Sequence, residues 1–174
     1  MAPTASITDD LIHKSIVHAV QNVCSTMLKQ NAAFVEKTAE PNFANFKDQP
    51  HLFGCVGFVG KIDGVVYLCI SDDFAMNAAS RILGVSIAEV KAEGDMVIKD
   101  VIGEITNMTA GGFKNTLCDQ GFSCKLTLPT IVRGQNLAVA SIKSATRHIF
   151  HFDCNGHRLI ADIQIKSAGP ANHL

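Results

Sequence analysis

Two stretches of this chain repeat one another, and this repeat limits the possible folds more than any other feature of the sequence. The segment "DLIHKSIVHAVQNV", which begins at Asp10, aligns without gaps with "DMVIKDVIGEITNM", which begins at Asp95. Their apolar positions largely coincide at helical spacing, as in any two amphipathic helices, but Asp, Lys and Asn also recur at matching positions. Each stretch is followed by two β-rich runs around an Asx-Gly pair, which predicts hairpins at Asp63-Gly64 and Asn155-Gly156. We therefore predict one α+β domain over residues 1–174. It is internally duplicated into helix-plus-hairpin halves that form an antiparallel sheet, with two long helices packed on one face.

Local signals set the expected bounds of these elements. The first helix should begin after a cap at Thr8 or Asp9. Its apolar side should hold Leu11, Ile12, Ile16, Val20, Val23 and Met27. A loop should follow it, up to the first hairpin. A short helix should then end at Gly84, and the second long helix should run from about Asp95 through Lys114. After it we expect a strand that ends near Pro129, with residues 1–8 and 167–174 frayed.

The composition argues against several classes of partner. The 15 Lys and Arg against 16 Asp and Glu give a net charge of −1, without the basic stripe typical of proteins that bind nucleic acid or an anionic membrane. No apolar run approaches the ~18 residues that span a bilayer. The six cysteines form no CxxC pair, and the N-terminus lacks the basic and apolar regions of a signal peptide. We expect a reduced, cytoplasmic protein, whose 47% hydrophobic content fits buried sheet or a self-association surface.

The second long helix carries a polar strip. At about 100° per residue, Asp100, Glu104, Asn107 and Gly111 fall within an arc roughly 60° wide, which Gly103 and Lys114 flank. A separate arc can face the core and holds Val97, Val101, Ile105 and Met108. Taken alone, an E-x-x-N pair is typical of an ordinary solvated helix face.

The glycines of this helix point to more than a solvated face. Gly103 costs the helix ~0.5–1 kcal/mol relative to Ala, and Gly111-Gly112 cost more unless they form a C-cap. Removing side-chain bulk beside Glu104 and Asn107 lets another macromolecular surface come close. We therefore predict that this helix is both a core element and a docking platform.

The spacing of four residues in this region resembles the signature of the CheC/CheX/FliY family of chemotaxis phosphatases. It runs from Asp100 through three residues to Glu104, through two residues to Asn107, and through twenty-one residues to Pro129. The surrounding "NMTAGGFKN" and "LPTIVRG" are similar to the CheX branch, and the resemblance extends to the order of elements and the duplication. It implies a CheC-like fold, a homodimer and a phosphorylated CheY-type receiver domain as the substrate.

The resemblance also implies how the site would work. Glu104 would bind a lysine of the receiver's active site and tether the two proteins. Asn107 would orient a water for in-line attack on the aspartyl phosphate without adding a negative charge beside the phosphoryl group. The chain itself would bind no cofactor or metal, since the receiver brings its own Mg²⁺. The supporting or receiver-contacting residues would be Asp100, Gly103, Gly111, Lys114 and Pro129.

The first helix carries only part of this motif. In the repeat alignment Glu104 corresponds to Ala19 and Asp100 to Ser15, and only Asn22 is retained. Family members with two sites would carry the pair in both halves, so this chain is similar to the single-site branch. The matching face of the first helix would then be free for another task, or for none.

Other interpretations compete with a phosphatase. A zinc site is suggested by the three-residue intervals of His148, His151, Cys154 and His157, but strand alternation puts His148 and His151 on opposite faces. The chain has no nucleophile elbow, and its glycines lack the order of a phosphate-binding loop. The main alternative is a non-catalytic homodimeric adaptor that binds receiver domains, for which an exposed β edge in the closing hairpins would provide the dimer contact. Retention of a complete E-x-x-N pair favours catalysis.

Overall fold

The computed structural model describes residues 6–42, 46 and 48–166. Its helices are α1 (Asp9–Val23, continued by a π-helical turn over Cys24–Leu28), α2 (Asp72–Leu83), α3 (Ile87–Glu93) and α4 (Asp95–Asp119). Its strands are β1 (Ala32–Thr38), β2 (His51–Gly60), β3 (Asp63–Ser71), β4 (Cys124–Leu126), β5 (Thr130–Gly134), β6 (Thr146–Cys154) and β7 (His157–Lys166).

The strands form one antiparallel sheet in the order β1-β6-β7-β3-β2-β4, and β5 also pairs with β2. The hairpins β2–β3 and β6–β7 meet at the centre, where β3 pairs with β7. The first strand of each half crosses to the hairpin of the other half, because β1 pairs with β6 whereas β4 and β5 pair with β2. An approximate two-fold axis therefore relates the halves, and the predicted duplicated α+β fold is confirmed.

The main core lies between the sheet and the two long helices. Each long helix buries one side, with Ile12, Ile16 and Val20 from α1 and Ile98, Ile102 and Ile105 from α4. Alternation places every second side chain of a strand on the same face of the sheet. The side chains that meet the helices include Phe58, Leu68, Phe150 and Ile163. Both long helices thus cover the same face.

A smaller core covers the opposite face of the sheet. Phe53, Cys69, Ile149 and Ile160 pack there, with Leu137 and Val139 against them. A buried ion pair holds the segment 135–145 over this face, because Arg147 Nη2 donates to Asp162 Oδ2 at 2.6 Å and to the Val139 carbonyl at 3.1 Å. Gln164 adds two hydrogen bonds to the backbone of the same segment.

The caps of the first two helices and the second hairpin agree with the predictions. Thr8 caps α1, and its hydroxyl accepts a hydrogen bond from Leu11 N at 3.2 Å. Gly84 ends α2 with a φ of 68°. Asn155 and Gly156 form the turn between β6 and β7 with φ angles of 56° and 84°. These conformations are the ones that Asn and Gly adopt most readily, so local sequence was sufficient to locate them.

The turn of the first hairpin is not where we predicted it. Asp63 and Gly64 belong to β3, where Gly64 pairs with Phe58, and the tip of the hairpin lies at residues 61–62. Gly64 is needed for space rather than for positive φ. A β-carbon there would lie 2.8 Å from Phe58 Cε2 and would also press against the Gln164 carbonyl oxygen.

Two elements were missing from the predictions, and one strand is divided. β1 lies where we predicted a loop, and α3 is a short helix with a capping box between Ser86 and Glu89. The strand predicted to end near Pro129 consists of β4 and β5, with Pro129 in the break between them. Of the ends predicted to fray, residues 1–5 and 167–174 lie outside the described residues.

α4 continues past the glycines at which we expected it to weaken. It runs on to Asp119, and Leu117 is fully buried beyond them. Gly112 does not cap the helix. A β-carbon there would lie 3.2 Å from Ala19 Cβ, so the glycine lets α4 approach α1 closely. Among the described helices, none combines the length and the apolar character needed to cross a membrane.

Candidate functional site

α4 is held against the sheet by its inner side. A β-carbon at Gly54 of β2 would lie 2.9 Å from Thr106 Cβ, so this glycine allows the helix and the strand to touch. Thr106 is fully buried, and its hydroxyl donates to the Ile102 carbonyl at 2.7 Å, which satisfies the polar group inside the helix. Because this inner side is fixed on β2, the polar strip of α4 points away from the sheet.

A cluster of charges joins β5 to the first turns of α2 and α4. Arg133 donates through Nε and Nη2 to Asp72 at 2.7 and 2.8 Å, and through Nη1 to Asp95 at 2.6 Å. Asp95 also binds Lys99 at 2.8 Å. Lys99 and Arg133 hold the pKa of Asp95 below its usual value, and the two carboxylates raise the pKa of Arg133. The bidentate pair with Asp72 fixes β5 relative to the start of α2, and the single bond to Asp95 joins β5 to the start of α4.

A shallow groove lies between α4 and the break that contains Pro129. Asp100 and Glu104 are exposed on its helical wall, and Asn107 is half-buried. The groove is lined by Met96, Lys99, Asp100, Gly103, Glu104, Asn107, Pro129 and Ile131. The structure thus brings together most of the residues that we predicted from the sequence. Gly111 and Lys114 lie further along α4 and do not line the groove.

Gly103 is buried beneath the groove, against β5. A β-carbon there would lie 3.7 Å from Ile131 Cγ1, which is an ordinary van der Waals contact. A β-carbon at Gly111 would have no neighbour within 4 Å. Packing inside this chain therefore requires a glycine at neither position, although each glycine weakens the helix.

The polar groups of the groove are free to bind a partner. Within the described part of the chain, the side chains of Asp100, Glu104 and Asn107 have no hydrogen-bond or ion-pair partner. Lys99 lies in the groove, but it is bound by Asp95. Two unpaired carboxylates on one wall will attract a cation, and the carboxamide beside them can donate and accept hydrogen bonds.

The arc of α4 that we predicted to face the core is partly wrong. Val101 and Ile105 are buried, but Val97 is only half-buried and Met108 is 39% exposed. The buried side is rotated towards Ile98, because α4 packs on both β2 and α1. Met108 therefore lies outside the core, on the other side of the polar strip from the groove.

The equivalence that we predicted between the helices is displaced by one residue. Burial matches when Ile12 is paired with Ile98 and Ile16 with Ile102, one position later than in the sequence alignment. Ser15 and Ala19 are buried, so the face of α1 that we expected to be free is part of the core. Asn22 is exposed, but in this register it is not the counterpart of Asn107.

The structural counterpart of the groove in the first half of the chain is closed. In the displaced register, His18 corresponds to Glu104, Gln21 to Asn107 and Val17 to Gly103. Val17 packs against the core, where the second half has no side chain. Gln21 Nε2 donates to the Ala32 carbonyl of β1 at 3.2 Å. The open groove is therefore a property of the second half.

Four contributors to the site were missing from the sequence prediction. Met96, Lys99 and Ile131 line the groove, and Arg133 supports it. Met96 lies one turn before Asp100 on the same strip, so helical spacing could have identified it. Ile131 and Arg133 lie close to α4 only because β5 pairs with β2, and no local signal reports that pairing.

No metal centre is formed within the described ranges, where no three His, Cys, Asp or Glu side chains are arranged to hold an ion. His148 Nδ1 lies 3.7 Å from Asp9 Oδ1 of α1. His151 lies on the other face of the sheet, where its Nε2 is 3.0 Å from Thr38 Oγ1. The polar residues of the groove can bind a cation through Asp100 and Glu104 and place the Asn107 carboxamide beside it.

Comparisons with known proteins show the family of this chain. The model of the family Chemotaxis phosphatase CheX matches residues 52–153, a range that includes Asp100, Glu104, Asn107 and Pro129. The CheY-P phosphatase CheX of Thermotoga maritima is 28% identical over 127 residues, which are 72% of this chain and 80% of that protein.

Solved structures share the fold. The chemotaxis protein CheX from Vibrio vulnificus has a TM-score of 0.76 at 21% identity, and the match covers 89% of this chain and 99% of that one. A chain from the CheX-CheY-BeF3-Mg²⁺ complex of Borrelia burgdorferi has a TM-score of 0.72 at 20% identity, over 89% of this chain and 97% of that one. FliY of Thermotoga maritima has a TM-score of 0.61 at 14% identity, over 94% and 93% of the two chains.

Proposed function

This chain belongs to the CheX family of chemotaxis phosphatases, and we propose that it removes the phosphoryl group from the aspartyl phosphate of a CheY-type receiver domain. The observation that carries the proposal is the pair Glu104 and Asn107, which have no partner among the described residues and are presented by a helix beside an open groove. The relative from Thermotoga maritima is a CheY-P phosphatase, and the structure from Borrelia burgdorferi is a complex with CheY. Both support a phosphorylated receiver as the substrate.

Asn107 is proposed to position the attacking water. An acyl phosphate is already reactive, so placing a water in line with the phosphorus can supply most of the acceleration. The carboxamide can accept a hydrogen bond from that water, and it adds no charge that would repel the phosphoryl group. Asn107 is half-buried and lines the groove, so its carboxamide is accessible from the groove.

Glu104 is proposed to tether the receiver through a lysine of the receiver's active site. Its carboxylate is exposed and, in the described part of the chain, unpaired, so binding a lysine breaks no existing contact. Asp100 lies one turn earlier and adds a second negative charge to the same wall. Asp100 would therefore contact the receiver or strengthen its attraction, while Gly111 and Lys114 would extend the contact along α4.

The chain is proposed to bind no cofactor, because the Mg²⁺ that neutralises the phosphoryl oxygens would belong to the receiver. We also propose that it is a cytoplasmic homodimer. The closing hairpins do not provide the free edge that we expected, because β1 pairs with β6 and both β4 and β5 pair with β2. Among the described strands, β1 is the outer one at one end of the sheet, which leaves a strand edge for a second copy. Size-exclusion chromatography with light scattering tests the dimer directly.

The experiment that tests the function measures loss of aspartyl phosphate from a Mg²⁺-loaded, phosphorylated CheY-type receiver. Wild-type protein should accelerate the loss, and Asn107→Ala should lower the acceleration by about 100-fold or more, as removal of a positioned catalytic amide does elsewhere. Glu104→Gln should weaken receiver binding roughly 10-fold to 100-fold, the value of a hydrogen bond to a charged group. Asn115→Ala is the matched control, because Asn115 is an exposed asparagine two turns further along α4.

Three other outcomes of this experiment would change the proposed function or the proposed site. Binding of the receiver without any acceleration, across the receivers of the organism, would replace the phosphatase with the adaptor. Acceleration that survives Asn107→Ala would keep the activity and place its water-positioning group elsewhere. Equal losses in Asn107→Ala and Asn115→Ala would show that the effect is not specific to the groove.

A further inference from the structure

Met96 is an apolar side chain held in water at one end of the groove. It lies one turn before Asp100 and is 71% exposed, although it belongs to a helix with a well-packed inner side. The helix start that carries it is fixed by the bond from Arg133 to Asp95. The position of Met96 relative to Glu104 is therefore set by two turns of helix, about 12 Å of axial rise.

Leu128 is a second exposed apolar side chain, next in sequence to Pro129 of the opposite wall. It precedes Pro129 in the break between β4 and β5 and is 88% exposed. The break has a fixed backbone, because Thr127 N donates to the Gly57 carbonyl at 2.8 Å and Thr127 Oγ1 accepts from Gly57 N at 2.9 Å. Leu128 is thus exposed on an ordered support.

These two residues are the most exposed of the large apolar side chains in the described part of the chain. Met96 lines the groove, and Leu128 is the sequence neighbour of Pro129, which also lines it. Pro129 and Ile131 line the groove as well, so the polar strip has apolar neighbours on the margin of the groove. An exposed apolar margin beside unpaired carboxylates is typical of an interaction surface. Methionine is suited to such a surface because its flexible side chain adapts to the partner.

We propose that Met96 and Leu128 form an apolar docking flank that holds the receiver while Glu104 and Asn107 engage its phosphorylation site. The inference rests on the proposed function and names the part of this chain that selects the receiver. Met96 and Glu104 line the same groove, so a receiver that fills the groove with its lysine at Glu104 would also contact Met96. The surface it recognises is a patch of apolar side chains next to that lysine. The polar pair then supplies the chemistry, and the flank supplies binding energy common to the ground and transition states.

The test compares Met96→Ser and Leu128→Ser with Leu83→Ser, using a Mg²⁺-loaded, phosphorylated receiver. Leu83 is a matched control because it is an apolar side chain that is 46% exposed. It lies at the end of α2, whereas the start of that helix, at Asp72, is the part joined to Arg133 beside the groove. Met96→Ser and Leu128→Ser should each raise KM about fivefold to 20-fold, in the range of interface anchors, with kcat at saturating receiver unchanged. Leu83→Ser should leave both constants unchanged. Thermal unfolding should be the same for all three variants, because substitutions at exposed positions rarely change stability.

Direct binding to a receiver loaded with Mg²⁺ and beryllofluoride separates this inference from the proposed function. If wild-type protein binds without accelerating hydrolysis and the two flank variants bind more weakly, the docking flank is supported and the proposed catalysis is refuted. If wild-type protein accelerates hydrolysis and both variants have unchanged KM and affinity, the docking flank is refuted and the proposed catalysis is supported. Dissociation of a dimer by Met96→Ser or Leu128→Ser, with unchanged KM, would assign the surface to a second copy and overturn the inference. Absence of any receiver binding would overturn it as well.

Discussion

Three glycines of α4 should respond differently to substitution by alanine, and the structure predicts the sign at each position. Alanine gains about 0.5–1 kcal/mol over glycine inside a helix. At Gly103 the new methyl group would touch Ile131 at 3.7 Å, and at Gly111 it would meet nothing within 4 Å. Gly103→Ala and Gly111→Ala should therefore each raise the free energy of unfolding by that amount.

Gly112→Ala should do the opposite. The methyl group would lie 3.2 Å from Ala19 Cβ and 3.5 Å from its Cα, atoms that no side-chain rotation can move. The two long helices would have to separate, and overpacking of this kind costs roughly 1–3 kcal/mol. After the gain in helix propensity, we expect a net loss of about 1 kcal/mol.

The same three substitutions should have the opposite effects on receiver dephosphorylation: the two that stabilise the protein should impair the activity, and the one that destabilises it should not. A methyl group at Gly103 raises the floor of the groove beside Asn107, and we expect KM for the receiver to rise roughly tenfold, the value of about one badly placed methyl group. Gly111→Ala should raise KM less, because Gly111 lies outside the groove. Gly112→Ala should leave the activity unchanged at 25 °C, where the protein remains folded.

Urea unfolding at 25 °C and steady-state kinetics on the phosphorylated receiver give both quantities for each variant. The reasoning is refuted if Gly103→Ala is less stable than wild type, because the position would then be needed for packing. It is also refuted if Gly103→Ala and Gly111→Ala are more stable and fully active, since the glycines would then serve no docking surface.

Two further predictions concern buried ionisable side chains. Asp162→Ala should lower the free energy of unfolding by about 3–5 kcal/mol, because it leaves the nearly buried Arg147 without its carboxylate; a loss below ~1 kcal/mol in urea would contradict the role of this pair. Stability should also fall as pH drops below about 6.5, because burial, followed by the nearby Lys37, lowers the pKa of His148. The unfolded chain then takes up a proton near pH 6.5 that the folded chain does not, so unfolding is favoured between 6.5 and the lower folded pKa. His148→Phe should reduce this slope in urea unfolding at pH 5.5 and 7.5, whereas an unchanged slope would assign the pH dependence to other groups.

Local sequence was sufficient for the features that depend on a few neighbouring residues. Thr8 at the start of α1, Gly84 at the end of α2 and the turn at Asn155-Gly156 follow from backbone preferences that act within one turn. The strip that carries Glu104 and Asn107 also follows, because the helical period alone determines which side chains share a face.

The same kind of signal failed where distant segments meet. Asp63-Gly64 has the residue types of a tight turn, but Gly64 lies in a strand that pairs with β7. The residue is a glycine because Phe58 and β7 leave no room for a side chain there. Gly112 has the residue type of a helix end, but it is the point where α4 touches Ala19. In both cases a glycine is needed for space, and the sequence shows only the glycine.

The sequence by itself therefore determined the duplicated α+β fold, the helix that carries the E-x-x-N pair and the residues of its polar strip. Only the tertiary structure decided that Ser15 and Ala19 are buried, and that Pro129 and Ile131 form the second wall of a groove. The physical reason is the range of the interactions. Periodicity and caps act over four residues or fewer, whereas the groove exists because β5 pairs with β2 and because Arg133 joins β5 to the start of α4.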